Sequence, residues 1–428
     1  MWPFLLYMEK LMNLKSLNKL DILVNGFIPI FFIGLLTITG GQNIPMVLMV
    51  VALLYMIYFF ASKQHWKLTT DEKWLIGCFF FYFGTFLFAL YFHDGRAKEL
   101  DRPIRFIFML PILLLLVKHQ IRFMVLALSI AIGATISGIF ACYQRFILHD
   151  YAAFMQIFQI QGGDIAMSLG MFSLVLALYF AQEKKYLFML IGFLGTFSGM
   201  LGSFLSTARG GWICLPVVIP FIFFIYRKNF SKKFFISVLA FICLGITLIA
   251  SDPNSKVIQR FDYAIYDIKV YFNDNNANTS VGQRFDMWKS ALLMAKEKPF
   301  LGVGQKNIIP KKTEYAKQGL ITKTVVKYSY MHNQYLDALS KRGILGLLGL
   351  LSIFFIPIYF FSKNLKINII EVRVISTLGI VAVLTVMSHN LTQAFFRHMS
   401  GIMFYFFVIV LFYGMILAIK QNNKLINN

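Results

Sequence analysis

The chain has 428 residues, of which 58% are hydrophobic and only 14% charged, and its mean hydropathy of +0.68 excludes a water-soluble globular domain. Its 41 Lys and Arg against 19 Asp and Glu leave a formal charge of +22, which in an apolar chain reports membrane orientation before it reports nucleic acid, so a nucleic-acid partner is excluded.

The runs expected to cross a bilayer are, in order, 22–39, 46–61, 74–92, 104–117, 123–141, 165–181, 186–205, 212–226, 234–250, 344–361, 374–387 and 402–419. Each is near the ~20 residues a tilted helix needs, although the fourth, eighth and eleventh are short. The expected fold is therefore an all-α integral membrane protein of about 12 transmembrane helices. The first twenty residues, with Glu9 and three lysines, lack the order of a cleaved signal peptide, so the first helix is expected to be retained. With the N-terminus inside, the inner segments hold 19 of the 41 basic residues and the short outer loops hold 7. Both termini are then cytoplasmic. The remaining 15 lie between Ser251 and Arg342, in or beside a loop long enough to escape the positive-inside bias. The chain thus divides into residues 1–250 (helices one to nine), 251–331 (one large outer loop) and 332–428 (helices ten to twelve). Within the loop, Asp274 to Ser280 reads as a turn, Gln283 to Lys296 has helical periodicity and Pro299 to Gly304 closes it, so two or three short helices on the membrane surface are expected. Cys78, Cys142, Cys214 and Cys243 fall in or beside apolar runs and suit neither a disulfide framework nor metal ligation. No acidic cluster has divalent-ion spacing: Asp94, Glu99 and Asp101 are interspersed with Arg96, Lys98 and Arg102 and read as a surface charge network. No metal and no cofactor are expected.

Three places carry candidate chemistry. The seventh helix has small residues at Gly192, Gly195, Gly199, Gly202 and Ser206, a spacing that lets a neighbour pack closely. It leads straight into Thr207-Ala208-Arg209-Gly210-Gly211. There the Arg209 guanidinium offers a planar, permanent charge to phosphate oxygens at the membrane boundary, and the glycines leave backbone N–H groups open to the same anion. The alternative is an arginine snorkelling to the interface. In the loop, Arg284 and Trp288 are four residues apart on one helical face, where the indole could seat the helix in the interface and aim Arg284 inward; the alternative is a solvated arginine paired with Asp286. Finally, His332 heads the run His332-Asn333…Gly343-x-x-Gly346. On one continuous helix it would sit above a glycine-floored groove, as a general base, a phosphate donor or merely a cap. The remaining loop lysines, Lys312 among them, read either as a solvated face or as an attractor for an acidic acceptor or anionic lipid. The pair His389-Asn390 reads as structural.

His332-Asn333, nine residues, then Gly343-x-x-Gly346 resembles the signature of the bacterial O-antigen ligases. Thr207 to Gly211, Arg284 with Trp288, Pro299 to Gly304 and Leu100-Asp101-Arg102-Pro103 agree with it in order and spacing. The superfamily includes O-antigen polymerases and protein O-oligosaccharyltransferases, which share much of the pattern. The resemblance implies a GT-C-like membrane glycosyltransferase of the bacterial inner membrane, its large loop and active site periplasmic. It would move glycan from undecaprenyl diphosphate to a sugar hydroxyl of lipid A-core, inverting and without a metal, among membrane lipids. By motif matching, Arg209 and Arg284 would hold the diphosphate, His332 would deprotonate the acceptor or bind the diphosphate, and Asn333 would help bind substrate. A lipid-linked sugar transporter is the competing class. It requires charges near the bilayer middle, and the apolar runs hold almost none.

Overall fold

The computed structural model describes residues 18–251, 257–274 and 276–426, and among these it contains helices and no strand. In chain order the α-helices are α1 (Lys19–Thr37), α2 (Ile44–Ala61), α3 (Thr70–Phe92), α4 (Pro103–Ile107), α5 (Leu110–Lys118), α6 (Phe123–Cys142), α7 (Gln159–Gln182), α8 (Tyr186–Leu205), α9 (Leu215–Tyr226), α10 (Lys232–Ser251), α11 (Val257–Asp274), α12 (Ser280–Glu297), α13 (Ile308–Lys317), α14 (Gln334–Asn364), α15 (Ile370–His389) and α16 (Met399–Ile426). Ten helical spans among the described residues are long and apolar enough to cross a membrane. The protein is a polytopic all-α membrane protein.

Two of the expected runs are not among the ten. The fourth is broken into α4 and α5, each opened by a proline, Pro103 and Pro111; proline lacks the N–H that would continue a helix and so starts one instead. The ninth is covered by α10. The first helix is capped by Asn18, which accepts from the Asp21 amide, and Thr69 with Glu72 forms a capping box before α3.

Polar contacts sort the loops into two ends. At one end His119 Nδ1 is 2.8 Å from Asp21, the Arg122 amide donates to Asn25, Lys363 lies 3.4 Å from Asp71 and Lys420 donates to Asn364. These are the segments expected inside. At the other end Gln156 donates to the Leu36 carbonyl, His93 meets the Leu301 carbonyl and the Gln334 amide donates to Asn390. α7 and α16 lie at the centre, buried on nearly every face. The glycine stripe of α8 does what its spacing requires: Gly192 packs on Ala177 of α7, Gly195 on Ser173 and the Ala131 carbonyl, and Gly199 on Gly170.

The segment between α10 and α14 folds around its own apolar cluster, including Met287, Met294, Ile308, Tyr315, Val325 and Met331. Buried Asp286 ties α12 to neighbouring chain by accepting from the Thr322 amide (2.7 Å) and hydroxyl (2.8 Å) and from the Tyr271 hydroxyl (3.1 Å). The expected helix over 283–296 is α12.

The head of α14 departs from the continuous helix assumed above. His332 has φ 48° and lies before the helix, and Gly343 is non-helical at φ 60°, ψ −158°, so the single glycine-floored stripe does not form. Instead the two glycine motifs bind each other. Val303 and Gly304 donate to the carbonyls of Ser340 and Lys341, and Ile344 donates to Pro299. A Cβ on Gly343 would overlap the Phe300 carbonyl, and one on Gly302 (φ 68°) would sit 2.5 Å from the Arg342 amide. Both positions need glycine for their conformation and for the close approach.

Candidate functional site

Arg209 opens a short 3-10 helix, Arg209–Cys214, at the end of α8. The approach is fixed locally: Thr207 has φ 61°, Ser206 Oγ donates to the Ser203 carbonyl, and the Ala208 amide donates back to Ser206 Oγ. The glycines that follow serve packing. Gly211 is buried against the Asp164 carboxylate and Ser203, and Gly210 abuts Thr392, which presses the turn onto α7 and the segment after α15.

Arg284, on the second turn of α12, lies within electrostatic reach of Arg209, Asp164 and Tyr330, while Asp286 is engaged by Thr322 and Tyr271. Burial and the positive charge of Arg209 both lower its proton affinity, and Asp164 and Tyr330 oppose them. Two guanidiniums brought within each other's field out of bulk water are unfavourable unless an anion comes between them. Trp288, half-buried on the same helix, has a partner within the protein. Its indole N–H donates to the Met331 carbonyl at 3.0 Å and so fastens α12 to the residue before the histidine.

His332 sits beside this pair. Its Nδ1 is 2.9 Å from Gln393 Oε1, and its ring is 4.6 Å from that of Tyr330. Burial, then the charge of Arg284, with smaller contributions from Arg397 and Lys312 against the Gln393 hydrogen bond, push its pKa down to about 4. The ring is thus neutral near pH 7. With the Gln393 oxygen as acceptor the proton sits on Nδ1, leaving the Nε2 lone pair as a base. The other end of Gln393 meets His398 Nε2 at 3.3 Å; His398 stacks on Phe158 at 4.7 Å and is itself pushed down to about 4, first by burial and then by Arg397. Asn333 caps α14, its oxygen accepting from the Tyr335 and Leu336 amides and its nitrogen donating to Leu391, so its amide holds His332 in place rather than facing open space.

Arg284 is therefore the residue within whose electrostatic reach both Arg209 and His332 fall. Sequence reasoning missed four others. Gln393 and His398 lie after α15, in a stretch without a motif. Asp164, in the second turn of α7, is fully buried with no hydrogen bond to its carboxylate, 3.9 Å from His389; an acid heading an apolar run was its available signal. Lys312, read in sequence either as solvated or as an attractor for an acidic acceptor or anionic lipid, is 0% exposed, donates to the Tyr328 carbonyl at 2.8 Å, and is lowered to about 7, chiefly by burial. Among the described residues no group of three or more His, Cys, Asp or Glu is arranged to hold a metal ion. His389, buried and 3.1 Å from Ser168, packs as a core residue.

A family model described as O-antigen ligase matches residues 194–351, which run from α8 through Arg209, Arg284 and His332 into α14. An uncharacterized protein of Haemophilus influenzae is 36% identical over 396 residues, covering 92% of this chain and 98% of its own. An O-antigen ligase of Escherichia coli is 23% identical over 219 residues, about half of each chain (51% and 50%). Helical architecture, the motifs gathered at one end and these similarities agree: the segment 194–351, which holds all three candidate residues, belongs to the O-antigen ligase family.

Proposed function

We propose that the protein is an O-antigen ligase of the bacterial inner membrane that transfers glycan from undecaprenyl diphosphate to a sugar hydroxyl of a lipid A-core acceptor at the periplasmic face. The observation that carries this reading is that Arg284 lies within electrostatic reach both of Arg209, a second fixed cation, and of His332, a histidine held neutral. The donor's diphosphate neutralises both guanidiniums. As the bond from the anomeric carbon to the diphosphate oxygen breaks, charge grows on the leaving group and the fixed cations stabilise it in a low-dielectric site. The acceptor hydroxyl attacks from the opposite face, inverting the centre, while His332 Nε2 takes its proton. The protonated imidazole returns that proton to solvent after the acceptor product and the undecaprenyl diphosphate depart.

The orientation rests on charge. The loops at the Asp21–His119 end carry most of the basic residues outside the long loop, which supports cytoplasmic termini and a periplasmic site. The test is reconstitution: the full chain in detergent, given lipid-linked glycan and lipid A-core, joins them in the presence of a chelator, and Arg284→Gln abolishes the joining. If the donor is instead chained into longer glycans with the acceptor untouched, the activity is that of an O-antigen polymerase. Labelling of a protein acceptor would make it an O-oligosaccharyltransferase.

A further inference from the structure

A cavity of about 530 Å³ opens between α3, the segment 96–103, the head of α14 and the start of α16. None of Arg209, Arg284 and His332 lines it. It adjoins their surroundings through Arg397, whose guanidinium lies 3.8 Å over the Tyr330 ring and depresses the proton affinity of His332, and through Arg102, which acts with Arg397 on His398. The residues 96–102, which read in sequence as a surface charge network, form one of its walls. Its floor is apolar, with Phe86, Phe106, Phe396 and Phe406, whereas Arg102, Lys306, Lys341, Arg342 and Arg397 bring positive charge to it. The acids in the lining are engaged or outnumbered: Asp337 pairs with Lys341 at 2.7 Å, Asp101 lies 3.4 Å from Arg105, and Glu99 accepts from the Arg96 amide.

Arg342 is the decisive residue. It is 6% exposed, and its Nε and Nη2 have no hydrogen-bond partner. Its guanidinium lies over the rings of Phe86 at 3.8 Å and Tyr82 at 5.8 Å. Ring faces soften the loss of water around a cation but leave its N–H groups unanswered. The backbone lock between Gly302–Gly304 and Ser340–Ile344 holds it there. A buried fork with unused donors, beside further cations and an apolar floor, is built for an oxyanion borne on an apolar body.

We propose that this cavity is a phosphate-binding site separate from the Arg209–Arg284 pair, in which Arg342, Arg102 and Arg397 hold a phosphate group while Phe86, Phe106 and Phe406 carry the apolar part of the same molecule. A phosphate monoester suits it better than a carboxylate, because three peripheral oxygens and a double charge answer several cations at once. The site does not depend on the donor assignment above.

The test uses the full chain in nanodiscs and three probes: bisphosphorylated lipid A, the same lipid after phosphatase treatment, and inorganic phosphate. Lipid A is expected to bind and raise the melting temperature. Arg342→Gln and Arg102→Gln should each weaken binding about tenfold or more, as loss of a charged hydrogen-bonding partner does. Arg284→Gln, which tests the donor site, should leave it unchanged. Inorganic phosphate matching lipid A in affinity would assign the site to free phosphate, and lipid A binding alone would assign it to a lipid headgroup. Equal binding of phosphorylated and dephosphorylated lipid, or unchanged binding by Arg342→Gln, overturns the proposal. Arg342→Met gives a second readout: without ligand it should melt no lower than the parent, since it removes a buried guanidinium whose Nε and Nη2 have no hydrogen-bond partner. A clearly lower melting temperature would make Arg342 a structural cation and overturn the proposal, with exposed Arg102 still available to confirm the loss.

Discussion

Replacing Gln393 with glutamate separates the two roles open to His332. In the parent, Gln393 Oε1 accepts from Nδ1 at 2.9 Å and the imidazole titrates at about 4. A carboxylate at that distance favours imidazolium and raises the pKa by about 2 units, the middle of the range for an opposite charge within 4–6 Å. The variant histidine then titrates near about 6. At pH 5 the neutral, proton-accepting fraction falls from about 90% to about 10%, while at pH 8 both proteins are almost wholly neutral. If His332 is the base, Gln393→Glu should therefore lose about tenfold in transfer rate at pH 5 and little at pH 8, with the acid limb of kcat/KM, which reports the free enzyme, moved up by about 2 units. The assay is transfer of lipid-linked glycan to lipid A-core across a pH series, read by gel mobility of the product, with melting temperature followed in parallel to separate unfolding from titration. An activity that rises at pH 5 would make imidazolium the working form and His332 a diphosphate ligand. A profile unmoved by the substitution would refute any titrating role for it.

Other substitutions test the supporting geometry. Arg209→Lys keeps the charge but not the fork, and transfer should fall at least about tenfold if bidentate phosphate contact matters; full activity would reduce the requirement to charge alone. Trp288→Phe removes the indole bond to the Met331 carbonyl while keeping a ring in place, which should cost about 1–3 kcal/mol for the orphaned buried acceptor and lower kcat more than it changes the donor KM; an unchanged kcat would show that His332 is held without it. Gly343→Ala sets a Cβ against the Phe300 carbonyl at φ 60° and should cost about 2 kcal/mol or more, visible as a lower melting temperature of detergent-purified protein; unaltered stability would mean that the backbone lock can relax.

Membrane class, helix positions and the grouping of loops into two ends were legible in the residues, because a bilayer imposes its own period: apolar runs near its thickness, broken by polar turns. The same holds for the α8 stripe, since helical spacing alone decides which glycines share a face. Arg209, Arg284 and His332 could be nominated from short motifs. Their common place was implied only by the family resemblance and by no local pattern, because they are separated by dozens of residues, and nothing local marks Gln393, His398 or Asp164 as their neighbours. Where local reasoning assumed a continuous helix from His332 to Gly346, it failed for a tertiary reason: the backbone of Pro299–Gly304 pairs with that of Ser340–Leu345, and only glycine at 302 and 343 admits the approach. Trp288 and Lys312 illustrate the same division. Their residue types say nothing of the carbonyl partner each has, and which carbonyl lies within reach depends on how distant segments fold together.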